Sequence, residues 1–272
     1  MIFFPKAKIN IGLRITGKRP DGFHNIETLF YPVSFCDALE FVISDEQSGK
    51  DTLTTSGINT GCNPEENIVY KAISRLRQDH FFPILKIHLH KIIPAGAGLG
   101  GGSSDAATIL KAVVKVFRLP VDKEELNNLA LETGSDCPFF IDPVPSFASG
   151  RGEILVPVKP TLTGYFIVLA NPGVGISTRE AYQNCIPDVQ SKSLPELSEL
   201  PVERWKKLIF NDFESYAFNK YPLIKEIKDE MYNAGAIFSL MSGSGSSVYG
   251  IFRQKPDISG KLKQYLIFQG AS

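Results

Sequence analysis

Residues 94–104 combine glycines with two serines, and this combination suits the binding of phosphate. The segment consists of Pro94, Ala95, Gly96, Ala97, Gly98, Leu99, Gly100, Gly101, Gly102, Ser103 and Ser104. Glycine lets a backbone bend closely around a ligand, because it has no side chain and adopts positive φ readily. A helical pattern follows, so N–H groups and the positive end of a helix dipole would face a phosphate here. Ser103 and Ser104 can cap that helix or contact phosphate oxygens.

Two other kinds of phosphate loop fit this segment less well. A Walker loop needs a lysine after its last glycine, and Ser103 stands at that position. Gly96, Gly98 and Gly101 meet the dinucleotide pattern Gly-x-Gly-x-x-Gly, with Asp122 about twenty residues further on. However, Asp122 begins a helix capping box rather than ending a strand. The strand predicted before the loop is amphipathic, unlike the buried strands of a parallel sheet, and the dinucleotide interpretation stays an alternative.

Two further residues could support proton transfer and phosphoryl transfer. Asp136 precedes Pro138 and an apolar run, and a carboxylate held there could accept a proton from an alcohol or simply cap a helix. Lys8 and Asn10 lie two positions apart on a predicted strand, so both side chains point to the same side. The charge of Lys8 could stabilise a carboxylate and a transferring phosphoryl group, although a lysine on a polar face is more commonly solvated.

The glycine-rich segment resembles the ATP loop of the GHMP small-molecule kinases, and further segments resemble this family in the family's order. They are residues 5–10, 19–24, 134–140, 171–182 and 243–246. Residues 211–214 also match, without an assigned role. Two extra glycines before the serines resemble the diphosphocytidyl branch. This resemblance implies an α+β fold with an N-terminal domain like ribosomal protein S5 domain 2 and a ferredoxin-like C-terminal domain.

The resemblance also implies an activity. It is the ATP-dependent phosphorylation of the 2-hydroxyl of 4-diphosphocytidyl-2-C-methyl-D-erythritol in the non-mevalonate isoprenoid pathway, with Mg²⁺ accompanying ATP. Other GHMP kinases, which act on mevalonate, homoserine or a sugar, are the nearest alternative. A non-catalytic nucleotide-binding regulator is the alternative of a different class, and intact Lys8 and Asp136 argue against it.

By the same resemblance, particular residues receive roles around the nucleotide. Asp136 is expected to be the catalytic base, and Lys8, rather than Lys6, the catalytic lysine. Asn67 and Lys91 are expected beside the adenosine of ATP.

Five residues are expected in the site of the second substrate. Phe23, at a position where the branch usually has tyrosine, would stack on cytosine, and His24 would hydrogen-bond the base. Phenylalanine keeps the stacking but loses any contact made by a phenol hydroxyl. Tyr182 would be a second stacking aromatic, with Thr178 nearby and Asn10 beside the catalytic lysine. Ordinary helix packing is the competing interpretation of Tyr182.

The chain length and composition agree with a globular enzyme. Lysine plus arginine and aspartate plus glutamate both total 29, so no net charge favours nucleic acid or an anionic membrane. The four cysteines have no paired spacing, which gives no indication of a zinc site or disulfide framework. Neither a signal peptide nor a membrane span is predicted. We therefore expect a cytoplasmic protein whose partners are small molecules, with no obligate protein partner.

The elements that must position these residues follow from hydrophobic periodicity. Strands are predicted at residues 7–15, 38–43, 84–93, 164–170, 236–240 and 248–252, with a hairpin at 147–158. Helices are predicted near residues 69–76, 106–117, 122–133, 178–184, 202–210 and 221–233, and a polar connection at 188–200. Strands and helices mix without a βαβ rhythm, which indicates α+β layers. The expected domains are residues 1–158, which bind ATP, and residues 159–272.

Overall fold

A computed structural model describes residues 1–45, 49–159, 162–185 and 193–272. These residues form two compact units that interleave along the chain. Unit 1 comprises Met1–Ala7, Phe35–Ala95 and Gly100–Pro143, and unit 2 comprises Lys8–Ser34, Gly96–Leu99 and Val144–Ser272. The glycine-rich segment therefore contributes residues to both units. The predicted domains, residues 1–158 and 159–272, have a single boundary and describe a different partition, which stays a prediction.

The strands and helices are as follows. The strands are β1 (Ile2–Phe3), β2 (Lys6–Lys18), β3 (His24–Cys36), β4 (Ala38–Ile43), β5 (Thr52–Gly57), β6 (Leu85–Lys91), β7 (Ser146–Ser149), β8 (Ile154–Pro157), β9 (Phe166–Ala170), β10 (Phe238–Met241), β11 (Val248–Phe252) and β12 (Leu266–Ala271). The helices are α1 (Ile68–Asp79), α2 (Gly101–Phe117), α3 (Lys123–Thr133), α4 (Cys137–Ile141), α5 (Thr178–Gln183), α6 (Leu194–Ser198), α7 (Glu214–Lys220), α8 (Pro222–Asn233) and α9 (Gly260–Lys263). Short 3-10 helices span Pro64–Glu66 and Val202–Lys207.

Unit 1 contains helices α1 to α4, which pack on one another, and a four-stranded sheet of order β1-β4-β6-β5. Alternate residues of β6, among them Leu85, Ile87 and Leu89, are buried, as the alternation of polar and apolar residues predicts. Strands β5 and β6 are parallel and α1 connects them, so this unit contains one βαβ unit. The sequence did not reveal it, because β5 is rich in threonine and only Leu53 in it is buried.

Unit 2 contains two four-stranded sheets, with orders β2-β3-β7-β8 and β10-β11-β9-β12. Its core includes Ile224, Ile227 and Met231, which recur at helical spacing on α8, together with Val168 and Val248 from the second sheet. The pairing β10-β11-β9-β12 is antiparallel throughout. The α+β class expected from the sequence is confirmed.

Several predicted elements differ from the observed ones. The helix predicted at 202–210 is a 3-10 helix over Val202–Lys207, whose fully buried Trp205 donates its indole N–H to the carbonyl of Leu200 at 2.9 Å. The polar connection predicted at 188–200 lies partly outside the described residues and ends in the short helix α6. Strand β12 and helix α7 were not predicted. Within the described ranges, no helix is both long and apolar enough to cross a bilayer.

Candidate active site

The glycine-rich segment adopts the backbone conformations that its composition predicts. Gly96, Gly98 and Gly100 have positive φ values of 63°, 77° and 69°, which residues other than glycine rarely adopt. Gly100 is the N-cap of α2 and has no side chain with which to cap the first turn. Backbone N–H groups at the start of α2 are thus left for another acceptor, as an anion-binding helix N-terminus requires.

Two of these glycines are also required by close packing within their own units. A Cβ atom on Gly98 would lie 1.9 Å from the carbonyl oxygen of Ser242. A Cβ atom on Gly101 would lie 2.7 Å from Cγ2 of Ile93 and 3.2 Å from Nζ of Lys91. The absence of a side chain at Gly98 and Gly101 therefore lets the backbone pack against Ser242 and Ile93, in addition to any ligand.

Buried apolar residues between the glycines fix the first part of the segment. Ala97 and Leu99 are 3% and 1% exposed. The carbonyl of Ala97 accepts from the N–H of Ser247 at 3.1 Å, and that of Leu99 accepts from the N–H of Lys8 at 2.9 Å. Pro94 is half-buried and Ala95 exposed at its start. The hydrogen bonds from Ser247 and Lys8 to these two carbonyl groups therefore hold residues 97–99 in place.

Asp136 lies at the start of α4, in unit 1. It is the N-cap residue, but its carboxylate makes no capping hydrogen bond to the helix, so the simple capping role is not the one it performs. The next residue, Cys137, is buried, and burial raises the pKa of its thiol to about 12 despite a hydrogen bond with Ser103. This bond joins the residue beside Asp136 to the first turn of α2. Ser104, in the same turn, is buried and donates its N–H to the carbonyl of Gly100 at 2.9 Å.

Lys8 and Asn10 lie side by side on β2, in unit 2. Both are almost completely buried, with 3% and 2% exposure, so Lys8 is not the solvated lysine of the competing interpretation. Its ammonium donates to Oδ1 of Asn10 at 2.5 Å and to the carbonyl of Gly98 at 3.1 Å. It also lies 5.0 Å from the centre of the Phe30 ring. Lys8 is thereby joined to the glycine-rich segment.

Polar residues to which sequence reasoning assigned no role support this pair and the loops around it. Asn10 donates from Nδ2 to Oγ1 of Thr28 at 2.9 Å, and its backbone N–H donates to Oγ of Ser242 at 3.2 Å. The Ser242 hydroxyl donates to the carbonyl of Gly98 at 2.8 Å. Asn211 donates from Nδ2 to the carbonyls of Met241 and Gly243, both at 2.8 Å. The match at residues 211–214 therefore has a structural role: it holds the second glycine-rich loop, which begins at Gly243.

The predicted cytosine-stacking residues occupy distinct environments in unit 2. Phe23 is 52% exposed, and the guanidinium of Arg151 lies 4.9 Å from the centre of its ring. His24 and Tyr182 stack on one another, and Tyr182 also meets the ring of Phe213 edge-on, with centroids 4.9 Å apart. The structure thus brings His24 and Tyr182 together.

Thr178, at the first position of α5, lies beside the second glycine-rich loop. Its hydroxyl lies 3.0 Å from that of Ser244, and both side chains are reached by solvent. Asn171 donates to Oγ of Ser247 at 2.9 Å and fixes the other end of the loop. The predicted proximity of residues 171–182 to residues 243–246 is therefore observed, whereas contact with a substrate stays a prediction.

The two residues expected beside adenosine make internal contacts in unit 1. Asn67 is the N-cap of α1, and its Oδ1 accepts from the N–H of Val69 at 3.0 Å. Lys91 is 4% exposed and lies between the carboxylates of Asp37 and Asp105. These contacts give both side chains a structural role, and contact with adenosine stays a prediction.

Asp122 tests the dinucleotide alternative. It is the N-cap of α3, and its Oδ1 accepts from the N–H of Glu125 at 2.9 Å, which is the N-cap half of the predicted capping box. The Glu125 carboxylate contacts His80 at 2.7 Å. A dinucleotide site needs an acidic residue at the end of a strand about twenty residues after the glycines. Asp122 does not meet this need, because it begins a helix.

The chain matches two protein families over separate ranges. Residues 67–143 match the GHMP kinases N terminal domain, and residues 190–266 match the GHMP kinases C terminal family. The first range contains the glycine-rich segment and Asp136, and the second contains residues 211–214 and the loop at Gly243.

Curated relatives and solved structures agree with these matches. The chain is 49% identical over 259 residues to the 4-diphosphocytidyl-2-C-methyl-D-erythritol kinase of Bacteroides fragilis, covering 95% of this chain and 94% of the relative. It is 43% identical over 260 residues to the kinase of that name from Porphyromonas gingivalis, with coverage of 95% and 94%. A crystal structure of 4-(cytidine 5'-diphospho)-2C-methyl-D-erythritol kinase superposes with a TM-score of 0.77, 33% identity and coverage of 92% and 90%. The chain therefore belongs to the GHMP kinase family, in the branch of the 4-diphosphocytidyl-2-C-methyl-D-erythritol kinases.

Proposed function

We propose that this protein transfers the γ-phosphoryl group of ATP to the 2-hydroxyl of 4-diphosphocytidyl-2-C-methyl-D-erythritol. The observation that carries the proposal is the conformation of the glycine-rich segment. Three positive-φ glycines lead into a helix whose N-cap residue is glycine. This arrangement presents backbone N–H groups to an anion, and the family to which the chain belongs uses ATP.

Two residues carry the reacting groups in this proposal. Asp136 orients the acceptor hydroxyl and takes its proton as the oxygen attacks phosphorus. Lys8 stabilises the negative charge on the transferring phosphoryl group, and its hydrogen bonds to Asn10 and Gly98 keep the ammonium in a fixed position. Because phosphoryl transfer passes through a loose transition state in most analyses, positioning and charge stabilisation account for most of the catalysis.

Mg²⁺ enters this proposal together with ATP. Mg²⁺ is usually held by one or two carboxylates and the phosphates of a nucleotide rather than by a cage of protein ligands. Among the described residues, no group of three or more histidine, cysteine, aspartate and glutamate side chains is arranged to hold a metal. A Mg²⁺ ion that arrives bound to the phosphates of ATP needs no such group of protein ligands. The reaction supplies isoprenoid precursors, and we place it in the cytoplasm.

Recognition of the cytidyl group completes the proposal. Phe23 offers an exposed ring for stacking, and His24 offers ring nitrogens to the edge of the base. Tyr182 and Thr178 belong to the same substrate site. Stacking holds any flat base, so the choice of cytosine over uracil depends on the hydrogen bonds of His24.

The test is a turnover assay with purified protein and MgATP. Phosphorylated product is measured with the cytidyl alcohol, its uridyl analogue, mevalonate, homoserine and galactose as acceptors. We expect turnover with the cytidyl compound and little with the others. Turnover of mevalonate, homoserine or galactose in preference to the cytidyl compound would assign the protein to another GHMP activity. Binding of ATP without turnover of any acceptor would contradict a catalytic role.

A further inference from the structure

Three ionisable side chains form a buried cluster in unit 1, next to the start of α2. They are Lys91 at the end of β6, Asp37 between β3 and β4, and Asp105 in α2, and they are 4%, 0% and 1% exposed. The ammonium of Lys91 donates to Oδ2 of Asp105 at 2.7 Å and to Oδ2 of Asp37. Since buried charges are costly unless they are paired, an arrangement of three needs a structural or functional reason.

The two carboxyl groups of this cluster differ in the hydrogen bonds that their Oδ1 atoms accept. Oδ1 of Asp37 accepts from the N–H groups of Ile92 and Ile93, at 2.5 and 2.9 Å. In contrast, Oδ1 of Asp105 is buried and has no hydrogen-bond partner among the described residues. Burial raises the pKa of Asp105 to about 8, against the opposing charge of Lys91 and with a further rise from Asp37. Burial thus favours the neutral form of the Asp105 carboxyl group over the carboxylate.

The cluster lies next to both ends of the nucleotide segment. Asp37 binds the backbone of Ile92 and Ile93, the residues that lead into the segment at Pro94. On the other side, Nζ of Lys91 lies 3.2 Å from the position that a Cβ atom on Gly101 would occupy. Asp105 itself belongs to the N-terminal part of α2. The three side chains therefore connect the end of β6 to the first turn of α2.

We propose that Asp105 is a positioning residue for ATP: together with Asp37 it holds the Lys91 ammonium against Gly101 and so fixes the first turn of α2. The inference rests on the proposed function, in which that turn binds the phosphates of ATP. Asp105 acts through Lys91 and the helix backbone, and it does not touch the nucleotide. Loss of its acceptor oxygen leaves Lys91 attached to Asp37 alone and lets the helix start shift.

The experiment measures the Kd for MgATP by calorimetry and the thermal unfolding temperature of each variant. Charge and dipole interactions at a helix terminus reach about 2 kcal/mol, so we expect Asp105→Leu to raise this Kd about 3- to 30-fold. Asp105→Asn keeps the acceptor oxygen and the size, and it should recover most of the affinity. The Kd for the cytidyl substrate should change less than twofold in both variants.

Asp51 offers a matched control at the opposite end of β6. It is also buried, pairs with Arg77 at 2.7 Å, and accepts from the N–H of Leu85 at the first residue of the strand. Asp51→Asn should lower the unfolding temperature without changing the Kd for MgATP. This control separates the positioning of the nucleotide from general loss of stability.

The outcomes distinguish the inference from the function on which it rests. If the unsubstituted protein does not bind MgATP, the proposed function itself fails. If it binds MgATP and folded Asp105→Leu binds equally well, the positioning role of Asp105 is wrong. An equal loss of affinity in Asp51→Asn would also overturn it. Should Asp105→Leu not fold, Asp37→Asn tests the same link through Lys91. Its Oδ1 still accepts from the N–H groups of Ile92 and Ile93, so its Nδ2 faces the Lys91 ammonium and cannot accept from it.

Discussion

The imidazole of His24 lies face to face with the phenol ring of Tyr182, with ring centroids 4.9 Å apart and ring planes 16° from parallel. In our proposal Tyr182 stacks on cytosine, and His24 hydrogen-bonds the edge of the base. A base cannot occupy a ring face that an imidazole already covers. We therefore expect that cytosine displaces His24 from this face. The stacking lost between His24 and Tyr182 then offsets part of the free energy gained when cytosine stacks on Tyr182.

The first prediction concerns the aromatic residues of the cytidyl site. Base–aromatic stacking contributes roughly 1–3 kcal/mol per base, so Phe23→Ala should raise the Kd for the cytidyl substrate about 5- to 150-fold. Tyr182→Ala should cost less than Phe23→Ala, because binding must first separate Tyr182 from His24. His24→Ala should narrow the preference for cytidine diphosphate over uridine diphosphate. Competition binding measures all three.

A matched control for these aromatic substitutions is Phe81→Ala, since Phe81 is 94% exposed and belongs to unit 1. It should leave both affinities unchanged. Equal binding of cytidine diphosphate by all three substituted proteins and the unsubstituted protein would remove these residues from the substrate site.

The sequence was sufficient to predict the elements whose signals are local. Alternation predicted β6, and the spacing of Val69, Ala72, Ile73 and Leu76 predicted α1. Glycine content predicted the positive φ values at the loop. In each case the relevant interactions lie within a few residues, so periodicity and backbone preference are enough to reveal them.

The supports of the site could not be predicted in this way. Ser242, which contacts Asn10, lies 232 residues further along the chain, and Asp37 lies 54 residues from Lys91. No local pattern marks such partners. Strand β2 illustrates the same point, because its alternation suggested one polar and one apolar face, whereas residues 7–15 are buried on both. Asn10, for example, is buried where the distant residues Thr28 and Ser242 supply its hydrogen bonds.

The second prediction concerns the catalytic base. Asp136→Asn is nearly isosteric but cannot take a proton, and a positioned base contributes about 10²- to 10⁴-fold. We expect kcat to fall by that factor while the Kd for MgATP is retained. Asp142→Asn, at the other end of α4, is exposed and serves as the control. A kcat for Asp136→Asn within a few-fold of the unsubstituted enzyme would rule out its role as a base.

The third prediction compares two lysines on β2. Lys8→Met removes a buried charge that Asn10 and Gly98 hold in place, and the loss of such electrostatic stabilisation should lower kcat about 10²- to 10³-fold. Lys6 is exposed, so Lys6→Met should leave kcat unchanged. Steady-state kinetics with both substrates provides the comparison. A larger effect of Lys8→Met on the KM of either substrate than on kcat would make Lys8 a binding residue.

The fourth prediction separates two glycines of the nucleotide segment. Gly98→Ala combines a φ of +77° with a Cβ only 1.9 Å from the carbonyl of Ser242, so it should cost more than about 1–2 kcal/mol of unfolding free energy. Gly102 is helical, and its Cβ would meet Ile68 at an ordinary 3.6 Å. Gly102→Ala should change stability by less than about 1 kcal/mol. Chemical denaturation of both variants checks this, and similar losses would contradict the packing that the structure shows.

The last prediction is a pH dependence that originates from Asp105. Its pKa is raised from an ordinary 3.8 to about 8, chiefly by burial, with Lys91 opposing the rise and Asp37 adding to it. Between these two values the native state keeps a proton that the unfolded chain has lost. The contribution of Asp105 to stability therefore falls as the pH rises from about 4 to about 8, by at most about 1.4 kcal/mol per pH unit, and is constant outside this window.

Denaturant titrations of the unsubstituted protein and Asp105→Asn at pH 5, 6, 7, 8 and 9 measure the contribution of Asp105 and its coupling to Lys91 and Asp37, because titrating groups that do not interact with Asp105 cancel in the difference. Asparagine binds no proton in this range. The unfolding free energy of the unsubstituted protein minus that of Asp105→Asn should thus decline steadily up to about pH 8 and then level off. A difference that stays constant across the series would show that Asp105 is ionised in the native state throughout this range, as it would be if the cluster favoured the carboxylate.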